Sequence, residues 1–504
     1  MSFSLGKPIL LMALFSVFGG AWLSMNRPAP GKDLSVWVFA DSHFREYDRR
    51  LRPIFERDSK KTLQVDLIPS RAMDMRLPVL FMAPADAKEV PDAIEVEIAS
   101  FGRYLRPRVN EVGFLPLNDY LSNTGFREIT SLNAPGRTGW NARLIGDGKI
   151  YTFDGARWRV NPRRARPDAW IDRILPSRLT AGSKDGVIFA VPHDVHPVAL
   201  AFRDDLFREA GVPLIDEHDR STVSSWPEFQ RKALRFQAYW REHGYATRHA
   251  MELPESGADV LSVMLLQRHI NLVDADYRIH LNDPKVAQTL AFYAQLVAGD
   301  SRIGAEAAPG TAMEFKDLAD GNFCAMQMPD WNVDLLRRFV PELAGKLRLI
   351  PLPRFDPSDA PTASYGGTLI GIPRGTRHPD AAWNLIQFLY FDPASLADRK
   401  NLGILPPLPE EWDNAEYQQP DPFFGGQKTL QIYAQLARAV APVYTTPVNV
   451  MALLTLRYAQ SLAVQYVREN GSRGLEAQCQ LWLNAAAVDL RRRIDHSRFE
   501  GPDR

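Results

Sequence analysis

Cysteine is almost missing from this sequence: Cys324 and Cys479 are the only two in 504 residues. That number excludes a disulfide framework and a four-cysteine zinc site. Cys324 stands in the apolar run Phe323-Cys324-Ala325-Met326 and reads as a buried free thiol, the alternative being a bond to Cys479. A surplus of either charge is missing as well, because 60 Lys and Arg balance 60 Asp and Glu. No global field therefore draws the chain to nucleic acid, which is not expected as a partner. The phosphate-loop pattern G-x-x-x-x-G-K-[ST], the nucleophile elbow G-x-S-x-G and the zinc motif H-E-x-x-H are all absent. Gly366-Gly367-Thr368-Leu369-Ile370-Gly371 is not a dinucleotide fingerprint. No catalytic residue, cofactor or metal site is assigned. His193 and His196 do not alter that, since residues three apart in an extended chain point to opposite faces.

What is present is the material of a folded protein with several cores. Hydrophobic content of 45% and charged content of 24% are ordinary for a soluble globular chain. Its length suggests about two to four domain-sized units. After Lys7, residues Pro8 to Met25 carry no charge, and Ile9 to Phe18 resembles the apolar middle of a secretory signal. At 1.5 Å per helical residue the uncharged run is just long enough to span a bilayer, so a cleaved signal and an uncleaved anchor are both open. Export to the periplasm or cell exterior is expected, with residues 1–32 as leader plus spacer and folded protein beginning near Asp33.

The chain then alternates strand and helix signals. Leu34 to Ala40 reads as a first strand ending at Asp41-Ser42-His43, and Arg45 to Asp58 as a helix. Leu63 to Ile68 reads as the next strand, Met73 to Met82 as a helix, and Val90 to Ile98 as a third strand in which Glu95 and Glu97 share a face. The two glutamates stand open between a solvated strand edge and ligand contact. Phe101 to Val112 reads as a helix, and Asp147 to Phe153 as a hairpin. Seven arginines between Arg157 and Arg178 form a local basic patch, read as a solvated insertion with an anionic partner as the alternative.

The most informative stretch is Asp185 to Phe202, two short apolar runs interrupted by Pro192 and Pro197. Prolines withhold ladder donors, so the stretch reads as a crossing between two lobes, with Asp194 and His196 on one side of the bend. Leu347 to Pro353 reads as a second crossing. Ser225 is placed as an N-cap with Glu228 three residues on, which makes Trp226 a packing residue. Trp331, after the strand Asn322 to Met328, reads instead as an aromatic exposed to stack on a ligand, the alternative being core packing. Helices are expected at Pro227–His243, Ala258–His269, Pro284–Ala298, Pro379–Tyr390 and in three runs after Leu430.

Taken together, these segments resemble the extracellular solute-binding proteins of ABC importers, particularly the large family that binds sugars and oligosaccharides. The resemblance rests on Val36-Trp37-Val38-Phe39, on Pro91 to Val96, and on Gly186 to Pro192 followed by Asp204 to Val212 and Ser225 to Phe229. It continues through Phe323 to Met326 with Trp331, Gly366 to Pro373 and Pro379 to Leu389. It implies an α/β, periplasmic-binding-protein-like fold: two lobes of mostly parallel sheet flanked by helices and joined by hinge crossings. The lobes would comprise residues 33–195 with 355–402, and 196–354 with 403–504. Implied ligand contacts are Phe39, Asp41, Ser42, Glu97, Asp194, His196, Trp331, Tyr365, Gly366 and Gly367. Implied partners are a small-molecule ligand, carbohydrate above all, and the membrane subunits of an ABC transporter, with the chain itself a monomer. The competing expectations are a secreted carbohydrate-active enzyme using Glu95, Glu97 or Asp194 as an acid/base pair, and a membrane-tethered solute sensor. The family's lipid-anchored N-terminal cysteine is missing, and Pro329-Asp330 stands where a glycine often precedes the tryptophan.

Overall fold

The computed structural model describes residues 32–82, 90–122, 151–153, 158–160 and 169–496, apart from 217, 220 and 309. The expected leader and most of the Arg-rich stretch lie outside the described residues. Ten strands position everything discussed below: β1 (Leu34–Val38), β2 (Leu63–Leu67), β3 (Ala93–Glu97), β4 (Val191–Pro192), β5 (Val198–Arg203), β6 (Met251–Glu252), β7 (Gly304–Ala305), β8 (Ala325–Pro329), β9 (Leu347–Ile350) and β10 (Thr368–Gly371). They form a five-stranded sheet in the order β2-β1-β3-β10-β4 and a three-stranded sheet in the order β8-β5-β9.

In the first sheet β1 runs parallel to β2 and β3, whereas β10 opposes both β3 and β4. In the second, β5 opposes both of its neighbours. β6 pairs in parallel with β7, and a parallel bridge from His249 to Phe323 carries that pair to the edge of β8. Each sheet thus has one opposing strand, and in each it is the strand that the chain enters directly from the other sheet.

Alternation explains why both sheets are buried on two sides. Val198, Leu200 and Phe202 face one core while Ala199 and Ala201 face another, so β5 carries no polar face. In the first sheet Ala93 packs on one side with β1 and β2, and Ile94 and Val96 on the other. The C-terminal helices Asn449–Asn470 and Leu475–His496 add their apolar faces to the β5 core. Cys324 and Cys479 are both buried there as free thiols, not bonded to each other. Among the described residues no helix is long and apolar enough to cross a membrane.

Several segments differ from their sequence reading for identifiable reasons. Phe101 to Val112 is not one helix: Ile98–Phe101 is followed by 3-10 turns at Gly102–Leu105 and Val109–Glu111. Pro107 interrupts the segment, because it lacks an N–H and restricts the residue before it. Leu347 to Ile350 is not a crossing but β9, and the passage to the first sheet runs through 351–367. Pro351 and Pro353 end that strand instead of bending it between sheets. Glu95 is not at a solvated edge, since β3 lies between β1 and β10 and Glu95 is fully buried. Of the hairpin expected over Asp147 to Phe153, residues 147–150 lie outside the described residues; Tyr151–Phe153 pairs antiparallel with the later segment Trp158–Val160. Ser225 caps the helix Trp226–Glu242 by accepting from the Glu228 N–H, and Trp226 is buried.

Candidate functional site

The chain passes between the sheets at 193–197 and 351–367, and the loop 403–408 lies against the first of these, so that the three segments meet around buried ionic groups. Between β4 and β5, Pro192 and Pro197 free the intervening peptide from the ladder, and His196 takes the left-handed conformation with φ 53°. His196 thereby turns both ring nitrogens inward. Nε2 lies 3.2 Å from Asp194 Oδ2, and Nδ1 lies 2.6 Å from Asp330 Oδ1 at the end of β8. The second Asp330 oxygen accepts from the Leu405 N–H at 2.8 Å, which ties in the loop 403–408.

Arg178 joins the second passage to the same centre. Its Nε donates to the Asp194 carbonyl at 3.0 Å and Nη1 to Ser364 Oγ at 2.6 Å, while Ser364 Oγ donates to the Val195 carbonyl at 2.8 Å. Gly367, at φ 130°, completes the seat, because a Cβ there would lie 2.2 Å from Arg178 Nη2 and 2.8 Å from Asp194 Oδ1. Arg178 is 2% exposed and Arg173 pairs with Glu410, so neither contributes a free charge to the basic patch expected from the sequence.

A second buried network extends from the first sheet. Glu95 accepts from the hydroxyls of Tyr47 at 2.7 Å and Tyr390 at 2.9 Å, and bonds His43 Nδ1 at 2.8 Å. A π-turn at Tyr47–Leu51 widens the helix where Tyr47 reaches inward. His43 and His193 approach with ring centroids 4.4 Å apart, and His193 Nδ1 reaches Asp194 Oδ2 at 3.1 Å.

Burial opposes charge on His196, yet Asp194 and Asp330 outweigh it and raise its pKa to about 10. Burial likewise opposes charge on Asp194, but His196 and His193 hold it well below the usual carboxylate range. His193 is driven the other way, to about 3, by burial and by Arg399 and His43, so its ring is neutral. Asp194 and His196 therefore lie inside the passages, with almost no surface left for direct solute contact: their side chains are 0% and 9% exposed.

The other expected site residues divide into two groups. Glu97 ends β3 in register with Thr368, and the Ile98 N–H donates to the Gly367 carbonyl at 2.9 Å. Tyr365 and Trp331 have ring centroids 6.3 Å apart, and a Cβ on Gly366 would lie 4.0 Å from Trp331 Nε1. Glu97, Trp331, Tyr365, Gly366 and Gly367 are half-buried and gather on one rim beside the passages. Phe39 is half-buried after β1, with its ring 6.4 Å from that of His43. Asp41 and Ser42 are exposed at the start of helix Asp41–Glu46, where Asp41 pairs with Arg45 at 2.9 Å.

The Tyr365 proton is held more tightly by burial and by the field of Asp259, Glu252, Glu314 and Glu97. Glu97 is itself pushed up by burial, Asp74 and Asp259. Sequence reasoning missed Glu252, Glu314 and Asp259, which come from separate elements with no shared motif. It also missed Arg178 and His43 as network members. Asp330 stands out in the sequence only as an irregularity beside Trp331. Among the described residues no group of His, Cys, Asp and Glu is arranged to hold a metal ion.

The model of a family described as bacterial extracellular solute-binding protein matches residues 136–424. An arabinooligosaccharide-binding protein of Bacillus subtilis is 21% identical over 448 residues, covering 86% of this chain and 88% of that protein. Its counterpart in Halalkalibacterium halodurans is 24% identical over 264 residues, and there the match spans 50% of this chain and 55% of the relative, about half of each. Similar solved structures include an ABC-transporter-associated binding protein of B. animalis subsp. lactis in complex with β-1,6-galactobiose: TM-score 0.60, 15% identity, 92% of this chain and 98% of that one. The sugar-binding protein MalE of Xanthomonas citri aligns with TM-score 0.63 at 16% identity, over 91% and 99% of the two chains.

Proposed function

This chain belongs to the bacterial extracellular solute-binding proteins, and from that premise we propose that it captures a saccharide between two lobes and delivers it to an ABC transporter. The observation that carries the proposal is the rim formed by Trp331, Tyr365, Glu97, Gly366 and Gly367 beside the inter-sheet passages. Aromatic faces suit the C–H faces of a sugar ring, carboxylates accept from its hydroxyls, and the paired glycines let backbone approach it. The names of the relatives, arabinooligosaccharide-binding proteins, point to the same ligand class.

The lobes in this reading are residues 33–195 with 355–402 and residues 196–354 with 403–504. Their support is the origin of the strands: one sheet draws on 34–97, 191–192 and 368–371, the other on 198–203 and 325–350. Phe39, Asp41 and Ser42 would extend the rim on the first lobe. Asp194 and His196 act from beneath it, setting the passage that bends when the lobes close.

The protein works as a binder without turnover. Glu95 and Asp194, two of the carboxylates an enzyme would need, are fully buried and bonded to internal partners. We place the folded part outside the cytoplasm, as a monomer, with residues 1–25 directing export. A thermal-shift screen across an oligosaccharide library, neutral and charged, tests the reading. At least one should raise the melting temperature in a concentration-dependent way, and a flat response across the library would reject it.

A further inference from the structure

Between helices Thr429–Ala437 and Asn449–Asn470 the chain reads Ala441-Pro442-Val443-Tyr444-Thr445-Thr446-Pro447. Prolines near both ends refuse a helix, and the valine, tyrosine and threonines between them favour extended backbone. Among the described residues this segment pairs with no strand, so its polar groups find their partners elsewhere. It arises on the side of the second sheet: before it Val440 packs with Ala199 and Ala201 of β5, and after it Val448 packs with Val198 and Leu200.

The partners alternate along the chain. The Pro442 carbonyl accepts from Asn271 Nδ2 at 3.0 Å, and the Tyr444 N–H donates to Asn271 Oδ1 at 3.2 Å. Asn271 follows Ile270, a member of the β5 core, so these two bonds hold the segment to its own side. Val443 and Thr445 bond the other way. The Thr180 hydroxyl lies 2.9 Å from the Val443 carbonyl and 2.7 Å from that of Ser177, its proton shared between them, and the Thr445 hydroxyl donates to the Ala181 carbonyl. Ala181 packs with Ile94 and Val96 of β3, in a core of the first sheet.

Gly102 makes a third contact across the same boundary. Its backbone is ordinary helical, with φ −54° and ψ −28°, so nothing in its conformation calls for glycine. The close approach does, because a Cβ there would lie 2.4 Å from the Thr446 carbonyl oxygen and 2.8 Å from the carbonyl carbon. That carbonyl also accepts from the Asn449 N–H at 3.1 Å, at the start of helix Asn449–Asn470. Gly102 in turn ends helix Ile98–Phe101, which begins directly after Glu97 of the rim.

We propose that residues 442–446 are a strap between the lobes, a segment of the second lobe that grips the first at Thr180, Ala181 and Gly102 and must release them before the cleft opens. This rests on the two-lobe reading given above. Unlike the passages at 193–197 and 351–367, the strap begins and ends on one side, so nothing covalent prevents it from parting. Its hydrogen bonds are individually modest, and they bias the unliganded chain towards the arrangement described without fixing it there. Capture is thereby coupled to the grip: Glu97 and Gly102 flank one short helix, and a solute held at Glu97 supports the contact at Gly102.

The test needs no solute. Thr180→Val combined with Thr445→Val exchanges both hydroxyls for methyl groups of similar shape. In small-angle X-ray scattering of the full, unliganded chain, the radius of gyration of this variant should exceed the parent's. Amide hydrogen exchange should quicken roughly tenfold in 98–105 and 443–449 and stay at the parental rate in β1 and β5. Asn271→Ala, which unties the strap from the opposite side, should reproduce both changes, and Gly102→Ala should do so by wedging the contact apart. An unchanged radius in the folded variants would overturn the inference. So would exchange quickened equally in β1 and β5, which would assign the change to global stability. Should the double variant not fold, Asn271→Ala and Gly102→Ala decide. Either failure leaves saccharide capture standing, since that is read separately from the thermal-shift screen.

Discussion

His196 Nδ1 lies 2.6 Å from an oxygen of Asp330, and this contact fastens the first passage between the sheets to the end of β8. Both groups are buried, so the loss of either leaves an uncompensated charge. Asp330→Ala should cost about 3–5 kcal/mol of stability, read as a lower denaturant midpoint. A cost below about 1 kcal/mol would mean that the pair is not holding the passages together.

The same histidine gives a pH dependence with a definite sign. Its folded pKa of about 10 lies above the ordinary value of 6.5, so the folded state holds this proton more tightly. The stabilisation is fully present below pH 6.5 and is lost as pH rises towards 10. The melting temperature should fall across that window, and His196→Asn should flatten the fall, since asparagine tolerates the left-handed backbone there. An equally steep decline in the variant would assign it to other groups.

Gly367 sits at φ 130°, and a Cβ there would collide with Arg178 and Asp194. Gly367→Ala should destabilise by about 1–3 kcal/mol through backbone strain alone, more if Arg178 is displaced. Chemical denaturation against Gly345→Ala, where a Cβ at φ 82° meets nothing within 4 Å, separates the collision from the strain.

How much of this was legible in the sequence depends on whether the signal was local. The interrupted run from Asp185 to Phe202 disclosed a passage between sheets because prolines and alternation are readable within a few residues. The Ser225 cap was legible for the same reason. The hub was not: Arg178 sits in an arginine-rich stretch that reads as surface, yet its partners Asp194 and Ser364 lie 16 and 186 residues away. Glu95, Tyr390 and His43 likewise meet only through folding. For Asp194 and His196 the bend was recognisable, but not that their side chains face inward and hold each other.

Glu252 carries a second linkage. Its folded pKa of about 8 exceeds the ordinary 4.5, so its ionisation opposes folding, and the cost grows between those two pH values. Glu252→Gln should therefore gain stability over the parent as pH rises from 4.5 to 8, reaching on the order of a few kcal/mol. Thermal melts of both proteins at several pH values check this, and a constant difference would show that Glu252 is not titrating in the folded state.

Trp331 is half-buried at the start of helix Asn332–Phe339, against Tyr365 and apart from the main cores. Saccharide capture at this rim is tested most directly by calorimetric titration of the full chain and of Trp331→Ala with an oligosaccharide found by screening. One-to-one binding and recovery of the sugar unchanged are expected, with a loss of about 1–3 kcal/mol of binding free energy in the variant and its melting temperature nearly unaltered. Equal affinity in both proteins, or hydrolysis of the sugar, would contradict it.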